Sequence, residues 1–251
     1  MTAPGAPGTP DSSCPTAPRT PNKDSPEMTD LSSSPAPLHA ALFDLDGTLI
    51  ATEHRSRAAW TRLFHVHGLE VDDALLATFV GRRGQEALAD HVHRFPGSTV
   101  ADLFDEAVGY LNGPDIPPPH PVPGAAALVR SLHEAGVPMA VVTSGLREHA
   151  GAMLDHIGGA GLFTTMITAE DVTRGKPHPE GFLAGCEALG VTPGRAVAFE
   201  DAPAGIAAAK AAGLSCVALT TTHDAEALHA ADLVVPDLSD ITWPPLSLSA
   251  A

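Results

Sequence analysis

Lysine is almost missing from this chain. Of 251 residues only Lys23, Lys176 and Lys210 are lysines, and Lys and Arg together number 14 against 30 Asp and Glu. The formal charge of −16 argues against nucleic acid, whose phosphates require a basic face, so nucleic acid is not an expected partner. A small phosphorylated metabolite stays compatible, because a few cations gathered at a site override a distant acidic surface. Cysteine is as sparse. Cys14, Cys186 and Cys216 show neither metal-like spacing nor an even disulfide set, which points to a reducing cytoplasm. No apolar run approaches membrane-spanning length, so no membrane partner is expected, and a monomer is the simplest assembly. Large apolar residues are scarce in 1–37, a Pro, Ser, Thr, Gly and Ala stretch. Such a segment cannot bury enough to fold and is expected to be disordered. It has no apolar centre like that of a signal peptide, and Met28 is a second candidate start.

What is present begins with AALFDLDGTLI, Ala40 to Ile50. The apolar run Ala40–Phe43 reads as a buried parallel strand. It runs directly into two carboxylates, Asp44 and Asp46. Side chains two apart in an extended chain share a side, so both can face one substrate. Gly47 lets the backbone turn sharply and approach a ligand. Open α/β sheets place their chemistry at such carboxyl ends. Asp-Gly is also a common turn, so this stretch alone decides nothing.

Helical periodicity follows, over 55–65, 84–94 and 101–111. Prolines mark 113–123 as a loop. Beyond it, strand-like runs at 137–142, 163–168, 196–199, 215–219 and 233–235 alternate with helical ones at 147–157, 179–189 and 203–212. That alternation predicts right-handed βαβ units: an α/β chain with a Rossmann-like parallel sheet and helices on both faces. The division expected is a catalytic core from 38–52 and 121–245, with an inserted helical cap at 53–120.

Three more strand ends carry polar groups. VVTSG offers Thr143, Ser144 and Gly145, a hydroxyl and turn amides able to hold phosphate oxygens. RGKPHPE holds Lys176 in a loop, with Pro179 suited to a first helical turn. VAFEDAPAG ends a strand in Glu200 and Asp201. Two strands ending in carboxylates supply the oxygen ligands that a hard cation such as Mg²⁺ prefers. A buried Glu-Asp pair without a cation would suffer repulsion. His65-x-His67 and His91-x-His93 read as solvated, since i and i+2 do not share a helical face.

In this order, these four motifs resemble the haloacid dehalogenase superfamily over about 40–235. The resemblance implies Asp44 as nucleophile, Asp46 as general acid/base, Thr143 as phosphate ligand and Lys176 as charge neutraliser. It implies Mg²⁺ held by Asp44, Asp201 and the Asp46 backbone carbonyl, with Glu200 binding or orienting beside it. Within the superfamily, Asp46 argues against the dehalogenases, which lack a second aspartate. The absence of lysine from 53–120 argues against the phosphonoacetaldehyde hydrolases. VVTSGLREHA, ITAEDVTRGKPHPEGFL and FEDAPAGIAAAKAAG are similar to the glycerol-3-phosphate and 2-deoxyglucose-6-phosphate phosphatases. Their Gly-x-Arg cap loop is matched by Gly81-Arg82-Arg83, which makes Arg82 and Arg83 expected substrate contacts, with Glu53 a weaker one. The expected activity is hydrolysis of a small sugar or polyol phosphate through an aspartyl-phosphate. The β-phosphoglucomutases, with a histidine where this chain has Ser56, and a non-catalytic module on the same fold remain alternatives.

Overall fold

The computed structural model describes residues 38–111, 113 and 116–245, together with Met1. The rest of the tail expected to be disordered lies outside the described residues. In chain order the first elements are β1 (Ala40–Phe43), β2 (Ile50–Ala51), α1 (Glu53–Val66), α2 (Asp73–Ala77), α3 (Gly84–His91), α4 (Val100–Leu111) and β3 (His120–Pro121). Then come α5 (Ala125–Glu134), β4 (Met139–Val142), α6 (Arg147–His156), β5 (Thr165–Ile167), α7 (Glu180–Leu189), β6 (Ala196–Glu200), α8 (Pro203–Ala212), β7 (Ser215–Leu219) and β8 (Leu233–Val235).

Six strands form one sheet in the order β5-β4-β1-β6-β7-β8, every neighbouring pair parallel. Alternation along β1 explains why it sits in the middle. Ala41 and Phe43 enter an apolar cluster with Leu128 and Val129 of α5 and Met153 of α6. Ala40 and Leu42 enter a second one with Phe182 of α7 and Ile206 of α8. All four β1 side chains are fully buried, which requires helices on both faces and rewards an uninterrupted apolar run. From β1 the chain moves outward through β4 and β5, then returns to the other side for β6, β7 and β8. The strand order reverses beside β1, which is where such sheets bind ligands.

The helices α1 to α4 bury their own cluster, including Leu63, Phe64, Phe79, Leu88, Phe95 and Leu103. Trp60 stacks on Phe79 at 4.6 Å between ring centroids. This helical block leaves and rejoins the sheet through β2 and β3, which pair antiparallel, Ile50 with Pro121 and Ala51 with His120. Sequence periodicity does not mark α2, whose five residues are too few to show one. It is started by Asp72, whose side chain accepts the Leu75 amide at 2.8 Å. Nor is α5 among the expected helices, although Leu128, Val129 and Leu132 give that helix a buried face. Among the described residues no helix is long and apolar enough to cross a membrane.

Candidate active site

β1 ends against Asp44 and β6 ends in Glu200, and the register sets Phe43 beside Phe199. The two carboxylates therefore emerge together at the carboxyl edge. The Asp44 amide donates to the Phe199 carbonyl at 2.9 Å, extending the ladder to the carboxylate itself. Asp201 follows Glu200 and is held by two hydroxyls: Thr48 Oγ1 donates to its Oδ1 at 3.3 Å, and Thr222 Oγ1 donates to its Oδ2. Asp44, Glu200 and Asp201 are all buried, and one oxygen from each lies within 4.8 Å of the others. Lys176, also buried, donates to Asp44 and, at 2.5 Å, to Glu200 Oε1. Glu200 Oε2 accepts the amides of Asp201 and Ala202 at 3.1 and 3.4 Å.

Two glycines make room for this cluster. Gly47 has φ +89°, and a Cβ there would lie 2.1 Å from Asp201 Oδ2. Gly205, in the first turn of α8, would bring a Cβ within 1.9 Å of the Glu200 carboxylate. Without them neither the turn after β1 nor α8 could come so close.

Three buried carboxylates face one ammonium, and the imbalance shows in their protonation. Burial pushes Asp44 well above the usual carboxylate range, outweighing Lys176, and the Glu200 and Asp201 charges add to it. Burial and then Glu200 push Asp201 up to about 8. Lys176 is raised above its ordinary value: burial opposes its charge, but Asp44 and Glu200 more than compensate. Two like charges within 4.8 Å of one another repel by at least roughly 3.5 kcal/mol at an effective dielectric near 20. A cation among these oxygens removes that cost. The donor set is all oxygen and hard, so it fits Mg²⁺ far better than a softer metal.

Asp46 stands in the opposite environment. Its Oδ1 accepts from Thr52 Oγ1 at 2.6 Å and faces His149 Nε2 at 3.0 Å. Burial works against its charge, yet the bond and charge of His149, and then Thr52, carry its carboxyl below the ordinary value. His149 answers in kind: burial lowers it, and Asp46 raises it further than that. At the end of β4, Thr143 Oγ1 accepts the Gly145 amide at 3.0 Å, while Ser144 Oγ is buried without a partner among the described residues.

A cavity of about 360 Å³ joins these groups to the helical block. Asp44, Asp46, Asp201, Thr143, Ser144 and Gly145 line its sheet side, and Trp60, Phe79 and Phe104 form an aromatic wall opposite. Glu53 lines it as well, its carboxyl raised by burial. Arg82 reaches it, with its guanidinium on the Thr78 carbonyl and Asp90. Lys176 and Glu200 are not among the lining residues; their side chains meet Asp44 and each other.

Arg83 is directed elsewhere. Its guanidinium donates to the carbonyls of Ala169, Val172 (2.6 Å) and Thr173 (3.4 Å), in the loop between β5 and α7. Four side chains that bond to these carboxylates are given no role by the sequence alone: Thr48, Thr52, His149 and Thr222. Thr222 lies in a Thr-Thr-Thr-His run just after β7, and a polar run at a parallel strand's end was the signal that could have flagged it.

Residues 38–213 match the family model described as haloacid dehalogenase-like hydrolase. Validoxylamine A 7′-phosphate phosphatase of Streptomyces hygroscopicus subsp. limoneus is 52% identical over 204 residues, 81% of this chain and 96% of the relative. 2-Deoxyglucose-6-phosphate phosphatase 2 of Saccharomyces cerevisiae is 32% identical over 223 residues, 80% of this chain and 88% of the relative. Among solved structures, β-phosphoglucomutase from Clostridium difficile superposes with a TM-score of 0.72 at 24% identity, covering 84% of this chain and 96% of that one. That last likeness speaks for the fold alone.

Proposed function

The chain belongs to the haloacid dehalogenase-like hydrolases, and from that membership we propose that it is a Mg²⁺-dependent phosphatase of a small sugar or polyol phosphate, working through an aspartyl-phosphate on Asp44. The observation that carries this reading is the buried set of Asp44, Glu200, Asp201 and Lys176 at the edge of a cavity large enough for a sugar phosphate. Residues 38–52 and 121–245 serve as the catalytic core and 53–120 as a cap over the cavity.

Asp44, Asp201 and the Asp46 backbone carbonyl would hold the cation, with Glu200 fixing Asp201 and Lys176. When bound, Mg²⁺ supplies positive charge to the phosphoryl oxygens and offsets the acidic cluster. Thr143, the Ser144 hydroxyl and the nearby turn amides bind the remaining phosphate oxygens. Asp44 attacks phosphorus, helped by Lys176, which steadies both the carboxylate and the transferring group. Asp46 gives its proton to the departing alkoxide and later takes one from the attacking water. The free protein favours ionised Asp46, but a phosphate dianion beside it pushes its carboxyl back up. The acid form is thus made as the substrate arrives.

The substrate is bounded by the aromatic wall and the acidic and arginine groups around the cavity. The test is phosphate release, with Mg²⁺, from validoxylamine A 7′-phosphate, 2-deoxyglucose 6-phosphate, glucose 6-phosphate, glycerol 1-phosphate and sorbitol 6-phosphate, ranked by kcat/KM. Release from at least one of them, abolished by Asp44→Asn, is the expected result. No release from any of them, or conversion of β-glucose 1-phosphate into glucose 6-phosphate without free phosphate, would refute it.

A further inference from the structure

His149 sits in the first turn of α6, on the face that meets Asp46. The Asp46 carboxyl is asymmetric in its bonding. Oδ1 is shared between Thr52 Oγ1, just before α1, and His149 Nε2, from the far side of the chain. Oδ2 accepts no hydrogen bond among the described residues, although Asp46 and His149 both line the cavity. One donor on a carboxylate leaves its plane free to swing. Two donors on the same oxygen, from separate elements, hold the plane and leave the second oxygen available.

We propose that His149 is a positioning residue: with Thr52 it anchors Asp46 by Oδ1, so that Oδ2 is the oxygen that carries the proton. This rests on the assignment of Asp46 as the acid/base of a phosphatase. In the first step the bond from Asp44 to phosphorus forms, the ester P–O bond breaks, and the proton on Oδ2 goes to the leaving alkoxide. In the second, water attacks phosphorus, its proton returns to Oδ2, and the Asp44–phosphorus bond breaks to release phosphate. Oδ2 ends as it began. His149 contributes geometry in both steps and neither gains nor loses a proton.

The inference separates itself from a packing role by its dependence on the leaving group. An alkoxide needs the proton, whereas p-nitrophenolate does not, and kcat/KM reports only as far as phosphoenzyme formation. The experiment compares the panel's best alkyl phosphate with p-nitrophenyl phosphate, using the full chain with Mg²⁺. The variants are His149→Leu, which removes the donor, and His149→Gln, which keeps an N–H at similar reach. His149→Leu is expected to lose roughly tenfold to a hundredfold in kcat/KM on the alkyl ester and several-fold less on p-nitrophenyl phosphate. His149→Gln is expected to recover most of that loss. If leucine disrupts α6, His149→Asn, too short to reach Oδ1, carries the same expectation. Equal losses on both esters, no loss, or a glutamine variant no better than leucine would overturn the inference. A wild-type chain that releases no phosphate from any ester would instead overturn the phosphatase reading.

Discussion

Asp44 and Asp46 are separated by one residue and by opposite electrostatics. Asp44 lies among Lys176, Glu200 and Asp201, the place from which the proposed mechanism has its carboxylate meet phosphorus and a cation. Asp46 is bonded to Thr52 and His149 and lies outside that cluster. Their substitution by asparagine should therefore separate cleanly. Asp44→Asn should abolish both turnover and phosphoenzyme, since an amide is a poor nucleophile. Asp46→Asn should keep its Mg²⁺ affinity, lose about 10²–10⁴-fold in turnover, and still form phosphoenzyme from p-nitrophenyl phosphate, with slow breakdown. Rapid-quench labelling measures this. Labelling of the Asp44 variant, or loss of metal by the Asp46 variant as complete as in Asp201→Ala, would reverse the roles.

At the scale of elements, two contacts tie helices to the site. Arg83, just before α3, reaches the β5–α7 loop, and Lys176 lies three residues beyond its Thr173 acceptor. A fork that bridges several carbonyls is something one ammonium cannot reproduce. If this contact holds the helical block against the core, Arg83→Ala and Arg83→Lys should both lower kcat and raise KM, by similar factors on sugar phosphates and on p-nitrophenyl phosphate. Selective loss on the sugar phosphate would instead make Arg83 a substrate contact. The second tie is α8 against Glu200. Gly205→Ala has no room for its methyl group and should cost about 1–3 kcal/mol by overpacking, read as a Tm lowered by several degrees. An unchanged Tm would mean that α8 can retreat freely.

For the whole molecule, the acidic cluster links stability to pH and to metal. In the metal-free protein the folded state holds a proton on Asp201 up to about pH 8, while an unfolded carboxyl releases it near the ordinary 3.8. Between those limits the folded state binds more protons, so stability falls as pH rises, and Asp44 acts in the same direction. Thermal unfolding in EDTA should give a falling Tm between about pH 5 and about pH 8. On the proposed function, excess Mg²⁺ should flatten that slope and raise Tm, as a ligand of the folded state alone does. A metal-free Tm that rises over this range would contradict the charge imbalance. Activity should vanish in EDTA and return with Mg²⁺.

The order of strands and helices was legible in the chain because each local signal agreed with its neighbours. Apolar runs bounded by Gly, Pro and acids became β1, β4, β6 and β7 within a few residues of the expected bounds. The placement of Asp44, Asp46, Thr143, Glu200 and Asp201 at or just beyond the carboxyl ends of β1, β4 and β6 was equally visible, since each follows closely on an apolar run. Short elements escaped: β2 and β3 have two residues each and exist only because they pair with one another. Tertiary structure alone decided which side chains complete the site. His149 lies 103 residues from Asp46, and Thr222 lies 21 from Asp201, distances over which no periodicity can speak. Arg83 looked like a substrate contact from its loop, but its direction was set by the carbonyls of Ala169, Val172 and Thr173 across the fold. A residue's chemistry is written in its own identity, whereas its partner is chosen by where the packed chain brings the two together.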